Sequence, residues 1–522
     1  MRGSVQLVNE EVESSEYRDE KDLKMKFTPT LIFEWPKLSW VAALNLGGQE
    51  IQVYHGTHVE IGNDWLVEAV WAGDFAVGDF DKTELVFGTG IRIRGNQVVF
   101  VSAGTMMDRL YRCQCGQQEF IGNSLPALLA CSGMSLDDQY RDYSEDIRSQ
   151  MKGLNDYKKS LPTVEGEIQL TYYRNIQYDG NELIETDKPI TVPNFRSYDD
   201  YYKFLIETAD RLRRNFESPC RKYRVQPLTT VSKGYDSSAV AAIVSKAAVK
   251  HSVTIENASS MLPRTDSGVE IANHLGLACE IYHHSPDNYR HEETIWAAAG
   301  DPAGLNLTIF KYPEQLSVFF TGYRGDSLWR RERQDRSQPF RARSMDGLSM
   351  TEFRLHVGVF HCPIPFCGSL NAEQIQEIGF SDEMSPWILG NAYDRPIPRR
   401  ILEDAGVPRQ SFGIRKGATF APRSFFWPFG KTSMSSFREY LQQRGLCAPN
   451  CATIWLLRKF AHLDQLIAVN LSHLTGKRIQ GLRPYFALSG QKLLFQWANH
   501  MLKQRHIDAL LQLDKRSAKE EH

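Results

Sequence analysis

The sequence predicts two fold classes in series: a β-rich α+β half followed by an α/β half built on a parallel sheet. Three observations predict this. From about Thr28 to Pro189 the chain consists of short β-prone runs punctuated by Gly, Asn and Asp, which read as hairpins in a largely antiparallel sheet. From 227 to 322, β-prone runs alternate with helical ones, the pattern of a parallel sheet covered on both faces. Beyond about 430 the apolar residues recur at helical spacing. A chain of 522 residues exceeds one ordinary core, since domains run to roughly 100–200 residues. The shifts in pattern divide it into a polar arm (1–25), a β-rich domain (26–190), an α/β domain (191–430) and a helical extension (431–522).

Taken in order, the arm is charge-rich (EEVESSEYRDEKD) and lacks the apolar residues that bury a core. The β-prone runs TLIFEW, WVAALNL, EIQVYHG, VVFVSAG and EIQLTYY follow, interrupted by one helix-like stretch, SLPALLACSG (124–133). After the Pro-containing link ITVPNFRSYDD (190–200), YYKFLIETADRLRRNFES is amphipathic. The alternation then runs through strand PLTTV (227–231), helix SSAVAAIVSKAAV (237–249) and strand SVTIENA (252–258). It continues through helix SGVEIANHLG (267–276), strand ACEIYHH (278–284), helix ETIWAAAG (293–300) and strand SVFFTG (317–322). In such sheets ligands bind beyond the carboxyl ends of the strands, at a switch point. Two amphipathic helices, 453–474 and 492–513, close the chain, with packing as their expected role.

Composition narrows the functional classes. Lys plus Arg (61) nearly balance Asp plus Glu (63), so no global field favours nucleic acid or an anionic membrane. No apolar run approaches the ~20 residues of a membrane helix and no signal-peptide pattern opens the chain, so the expectation is a cytoplasmic protein. Nine scattered cysteines in a long chain point to reduced thiols. Cys362 with Cys367 and Cys447 with Cys451 could in principle form a four-thiolate zinc site, but the spacings are loose and Pro-interrupted, and buried thiols fit them better. His283–His284 read as pocket rim or loop.

The sharpest local signal is VSKGYDSS (231–238), between a β-prone run and an Ala-rich helix. That placement gathers backbone N–H groups, the hydroxyls of Ser232, Ser237 and Ser238 and a helix N-terminus at one point, where they would stabilise phosphate oxygens. Asp236 would hold the Mg²⁺ that bridges phosphates. An ordinary Ser- or Asp-capped turn has the same local sequence.

SKGYDSS resembles the SGGxDSS pyrophosphate loop of N-type ATP pyrophosphatases, with Ser232, Lys233, Gly234, Asp236, Ser237 and Ser238 in the loop positions. Further segments resemble asparagine synthetase and β-lactam synthetase. RTDSGVEIANHLGL (264–277) is similar to the helix after the second strand, and DPAG (301–304) to an acidic-Pro segment. FFTGYRGDSLW (319–329) resembles TGxGxDExF, and KGATFAP (416–422) the neighbourhood of the active-site lysine. In the first half, GDFAVGDFD (73–81) and NSLPALLA (123–130) resemble the glutaminase-like domain. The resemblance implies an adenine nucleotide alpha hydrolase-like (PP-loop) domain preceded by an Ntn-type sandwich, with ATP and Mg²⁺ as cofactors and Asp236 and Asp326 as metal ligands. It also implies Tyr323 as base, paired with Glu352 or His361, and Lys416 as stabiliser of the charge on an acyl-adenylate.

The chain departs from the family in three places. Glutamine hydrolysis there needs a cysteine after the initiator Met, because its α-amine serves as base; here Arg2 follows Met1 and Cys113 is the first cysteine. The resemblance therefore implies an amino-terminal half without glutaminase activity, as in β-lactam synthetase and lasso-peptide cyclases. Lys233 replaces a loop glycine, and Ser327 replaces one carboxylate of the acidic pair beside Asp326. Arg324 stands next to them as an extra charge or a solvated loop residue. The implied activity is an AMP-forming amide ligase acting on a small-molecule or peptide carboxylate and an amine, with lactam or macrolactam closure as its intramolecular form, and with neither nucleic acid nor membrane as partner. The alternative is a degenerate nucleotide-binding pseudoenzyme acting through protein contacts. A nucleobase-modifying pyrophosphatase fits less well, for want of a basic or metal-binding RNA module. Oligomeric state has no signature here.

Overall fold

The computed structural model describes residues 25–256, 266–283, 285–333, 339–342, 347, 350–391, 393–413, 427–475 and 489–520. The first half folds as two stacked sheets. Seven strands run in the order Lys26–Leu31, Glu50–His55, Trp40–Asn45, Gln118–Gly122, Leu110–Cys115, Glu167–Thr171, Ser160–Pro162. Six run Leu183–Thr186, Asn175–Tyr178, Gln97–Val101, Val86–Arg94, Trp65–Trp71, Glu60–Ile61. Pairing is antiparallel apart from Lys26–Leu31 beside Glu50–His55. The β-prone run EIQVYHG forms strand Glu50–His55, in which burial alternates with period 2 and Ile51, Val53 and His55 turn inward. Trp40, Ile51 and Val53 of one sheet meet Ile91, Phe100 and Ile176 of the other in a shared apolar layer.

Helix Leu125–Ser132 lies on the outer face of the seven-stranded sheet. Ser124 caps it by accepting the Ala127 N–H at 3.4 Å, and Gly133 ends it in the left-handed region at φ 76°. Helix Tyr198–Phe216 packs its apolar stripe beside Val70 and Phe87 of the six-stranded sheet. Its Ser197 cap accepts from the Asp200 N–H at 3.2 Å.

The second half carries a five-stranded sheet, parallel throughout: β1 (Val225–Thr230), β2 (His251–Ile255), β3 (Ala278–Tyr282), β4 (Leu316–Thr321) and β5 (Val359–Pro363), in spatial order β3-β2-β1-β4-β5. β5 is absent from the sequence reading, which found the other four. The strand order reverses between β1 and β4, so their carboxyl ends flank a crevice. Thr229 lies opposite Phe320, which brings the loop after β1 level with the one after β4.

Of the carboxyl-terminal helices, Leu494–Glu520 packs as expected, burying Leu494, Phe495, Trp497 and Leu502. Helix Cys451–Thr475 differs: Trp455, Leu456, Phe460, Leu463 and Ile467 face outward. Among the described residues no helix is long and apolar enough to cross a membrane. Cys362 and Cys367 are buried, whereas Cys447 and Cys451 are exposed.

Candidate functional site

The crevice between β1 and β4 opens into a cavity of about 250 Å³. Its lining includes the polar residues Ser232, Gly234, Asp236 and Ser237, after β1, and Asp326, after β4, together with the apolar side chains of Val253, Ile255, Leu307 and Phe310. Asp266, Asn306, Tyr323 and Tyr393 complete the lining used below.

The loop takes its shape from a few local bonds. Val231 extends β1 by donating its N–H to the Val253 carbonyl at 3.0 Å, and Ser232 bridges to Ser267. Gly234 donates its N–H to Ser232 Oγ at 3.2 Å, and the hydroxyls of Ser232 and Ser237 lie 2.8 Å apart. Helix Asp236–Ser245 then begins, and its cap position, Tyr235, contributes no side-chain bond. The first four N–H groups of a helix have no intrahelical partner. Here the residues that begin the helix, Asp236 and Ser237, line a cavity that also presents two serine hydroxyls, the local chemistry of an anion site. Ser238 does not join it: its hydroxyl donates to the Ser232 carbonyl and its side chain is fully buried. Lys233 stands outside the cavity lining, its N–H on the Asp266 carbonyl at 3.3 Å and its own carbonyl accepting from Gly413 at 2.8 Å.

Asp236 and Asp326 come together. A Cβ on Gly325 would lie 2.9 Å from Asp236 Oδ1, so the two loops touch at this point. The Asp236 carboxylate, however, is gripped on both oxygens by the guanidinium of Arg395. Mg²⁺ requires about six oxygen ligands at roughly 2.0–2.1 Å. Among the described residues no group of three His, Cys, Asp or Glu side chains could hold a metal ion. With both oxygens held by Arg395, Asp236 as it stands offers no ligand oxygen to the divalent cation expected from sequence. Arg324 also lines the cavity, and its guanidinium donates to the Phe340 carbonyl at 2.7 Å and to that of Arg341.

Of the expected acid–base residues, Tyr323 reaches the cavity, and Glu352 and His361 do not line it. Glu352 is buried and accepts from Ser124 Oγ at 2.8 Å and the Leu125 N–H at 3.0 Å, capping the sandwich helix. Burial pushes its carboxyl up to about 7, against the pull of those two bonds. Its expected partnership with Tyr323 is replaced by this cap. His361 lies within β5, its Nε2 2.7 Å from Thr321 Oγ1 and its ring edge-on to Tyr323 at 5.3 Å. Burial lowers its pKa to about 4, so the imidazole is neutral near pH 7 and packed rather than poised. Lys416 lies outside the described residues. His283 is exposed, 3.6 Å from Glu256.

The His361 shift has a consequence for stability. An imidazole whose folded pKa lies below its unfolded value near 6.5 contributes stability that is lost as pH falls from about 6.5 towards 4. The gap in urea midpoint between wild type and His361→Asn is expected to close over that window, since only the wild type loses this contribution. A constant gap would overturn it.

Three residues that the sequence reading did not single out shape the site, Asp266 among them although it lies in the quoted segment 264–277. Arg395 holds Asp236; Asp266 lines the cavity, its carboxyl pushed up to about 6 by burial despite the Lys233 N–H and charge. Asn306 is 5% exposed, and its Oδ1 has no hydrogen-bond partner. No protein-family model matches the chain, and no curated protein matches it.

Proposed function

We propose that the chain binds ATP in this cavity and uses it to activate a carboxylate for amide-bond formation, as an N-type ATP pyrophosphatase domain joined to an Ntn-like sandwich. The observation that carries the binding half is the mixed lining at the switch point: apolar side chains that suit a flat heterocycle, together with serine hydroxyls and a helix N-terminus that suit phosphate oxygens. The chemical half rests on the ordered sequence segments that resemble asparagine synthetase and β-lactam synthetase.

In the reaction, a carboxylate oxygen attacks the α-phosphorus, and the bond to the β-phosphate breaks. Pyrophosphate leaves against Ser232, Ser237 and the amides that begin helix Asp236–Ser245. An amine then attacks the acyl carbon of the adenylate, AMP departs, and the amine proton passes to a base. In this reading Tyr323, which lines the cavity, relays that proton by passing its own hydroxyl proton to water. ATP–pyrophosphate exchange that depends on a particular carboxylate is the test. ATP binding without exchange across a broad carboxylate panel would defeat the ligase assignment.

Such a result would favour a second reading, a nucleotide-binding pseudoenzyme working through protein contacts. Two observations favour it: Arg395 occupies the Asp236 carboxylate, and Glu352 caps a helix instead of partnering Tyr323.

Asn306 supplies a finer prediction. A buried acceptor without a partner costs about 1–3 kcal/mol, which a ligand donor at that point recovers. The 6-amino group of adenine is such a donor and the 6-oxo group of hypoxanthine is not. Asn306→Leu is therefore expected to reduce the preference for ATP over ITP roughly tenfold, about 1.4 kcal/mol. An unchanged ratio of dissociation constants would remove Asn306 from the base site.

A further inference from the structure

Arg395 stands where a cation would neutralise the carboxylates of the cavity. It immediately precedes helix Pro396–Asp404, is 3% exposed, and lies over the Tyr393 ring at 5.1 Å. Burial works against its charge, but the Asp236 and Asp326 carboxylates outweigh that penalty and hold it firmly protonated. Guanidinium is a planar donor fork that matches carboxylate geometry and is less strongly hydrated than ammonium, which suits a buried counter-ion. The other nearby guanidinium, Arg324, is committed to the backbone carbonyls of Phe340 and Arg341.

Resting on the nucleotide-binding reading, we infer that Arg395, in place of a divalent metal ion, is the counter-ion of Asp236 beside Asp326, so that the cavity takes polyphosphate ligands in their metal-free form. Asp236 is then a competitor of the ligand for the charge of Arg395. A metal ligand in the same position would be indispensable to binding. The two roles predict opposite signs for one nearly isosteric substitution. Asp236→Asn keeps the volume and removes the competing charge, so it strengthens metal-free binding; at a metal site it would abolish binding.

Titration calorimetry with ATP and with inorganic pyrophosphate, each in excess EDTA and in excess Mg²⁺, tests this on the full chain. Wild type is expected to bind with dissociation constants that agree within about threefold with and without the metal. Asp236→Asn is expected to bind pyrophosphate in EDTA roughly tenfold more tightly, the size of one unscreened charge at several ångströms. Electron paramagnetic resonance of added Mn²⁺ should detect no bound ion in the wild type. Binding that requires Mg²⁺, a stoichiometric Mn²⁺ site, or unchanged or weaker binding by Asp236→Asn would overturn the role of Arg395 and leave the nucleotide reading standing. No binding of either ligand to the wild type under any condition would fell the nucleotide reading, and this inference with it.

Discussion

Replacing Arg354 with methionine is expected to destabilise the chain by about 3–5 kcal/mol, because it strands two buried carboxylates without a counter-ion. The guanidinium is almost wholly buried. It donates from Nε to Asp108 at 2.7 Å and from its two terminal nitrogens to Glu68 at 2.7 and 3.1 Å. Glu68 also accepts from the Thr89 N–H at 2.9 Å, the Thr89 hydroxyl at 2.7 Å and the Asn123 amide at 3.1 Å. The triad ties strand Trp65–Trp71 of the sandwich to helix Met350–Val357, which leads into β5. Burial already pushes the Glu68 carboxyl up, and the Arg354 charge is the main force opposing that push. Without it, Glu68 gains from taking up a proton, so the deficit narrows as pH falls. Urea unfolding at neutral and acidic pH measures both effects. Arg213→Met, which breaks pairs on a more exposed helix face at 2.7 and 2.8 Å, should cost less than about 1 kcal/mol. A comparably small loss for Arg354→Met would contradict the desolvation argument.

Gly322→Ala is expected to weaken ATP binding roughly a hundredfold while costing about 1–3 kcal/mol of stability. A Cβ at this position would lie 2.4 Å from the Asp236 carbonyl carbon and 2.4 Å from the Ser237 nitrogen. Both are backbone atoms at the start of the helix that frames the anion site, and neither can rotate aside. The start of the helix must shift, displacing the amides and Ser237 hydroxyl that meet the phosphates. Two such contacts at about 1.5 kcal/mol each give the stated factor. Gly276→Ala is the control: φ is 66° there, with nothing within 4 Å of a Cβ, so backbone strain alone lowers stability. Equal effects of the two substitutions on ATP affinity would refute the steric account.

The parallel strands β1 to β4 and the helix after β1 were legible because each rests on neighbours a few residues away. Val231 to Ser238 carries in eight consecutive positions the strand end, the turn and the helix start. Gly322, in TGYRGD, is likewise local. Strand Trp65–Trp71 was not legible: it is buried on both faces, so WLVEAVW lacks alternation, and Glu68 breaks the apolar run. β5 was missed in the same way, since VFHCP is buried at every position and its histidine and terminal proline obscure the strand.

Sequence by itself determined the alternation of β1 to β4 with helices and the turn in which Ser232, Gly234, Asp236 and Ser237 share one crook. Tertiary structure alone decided what each side chain is for. Asp236 meets Arg395 across 159 residues, and Glu352 meets Ser124 across 228. Both carboxylates looked like chemistry when read beside their neighbours. Backbone conformation is set largely by residues within a turn or two, whereas the partner of a buried charge is whatever the packing of distant segments delivers to it.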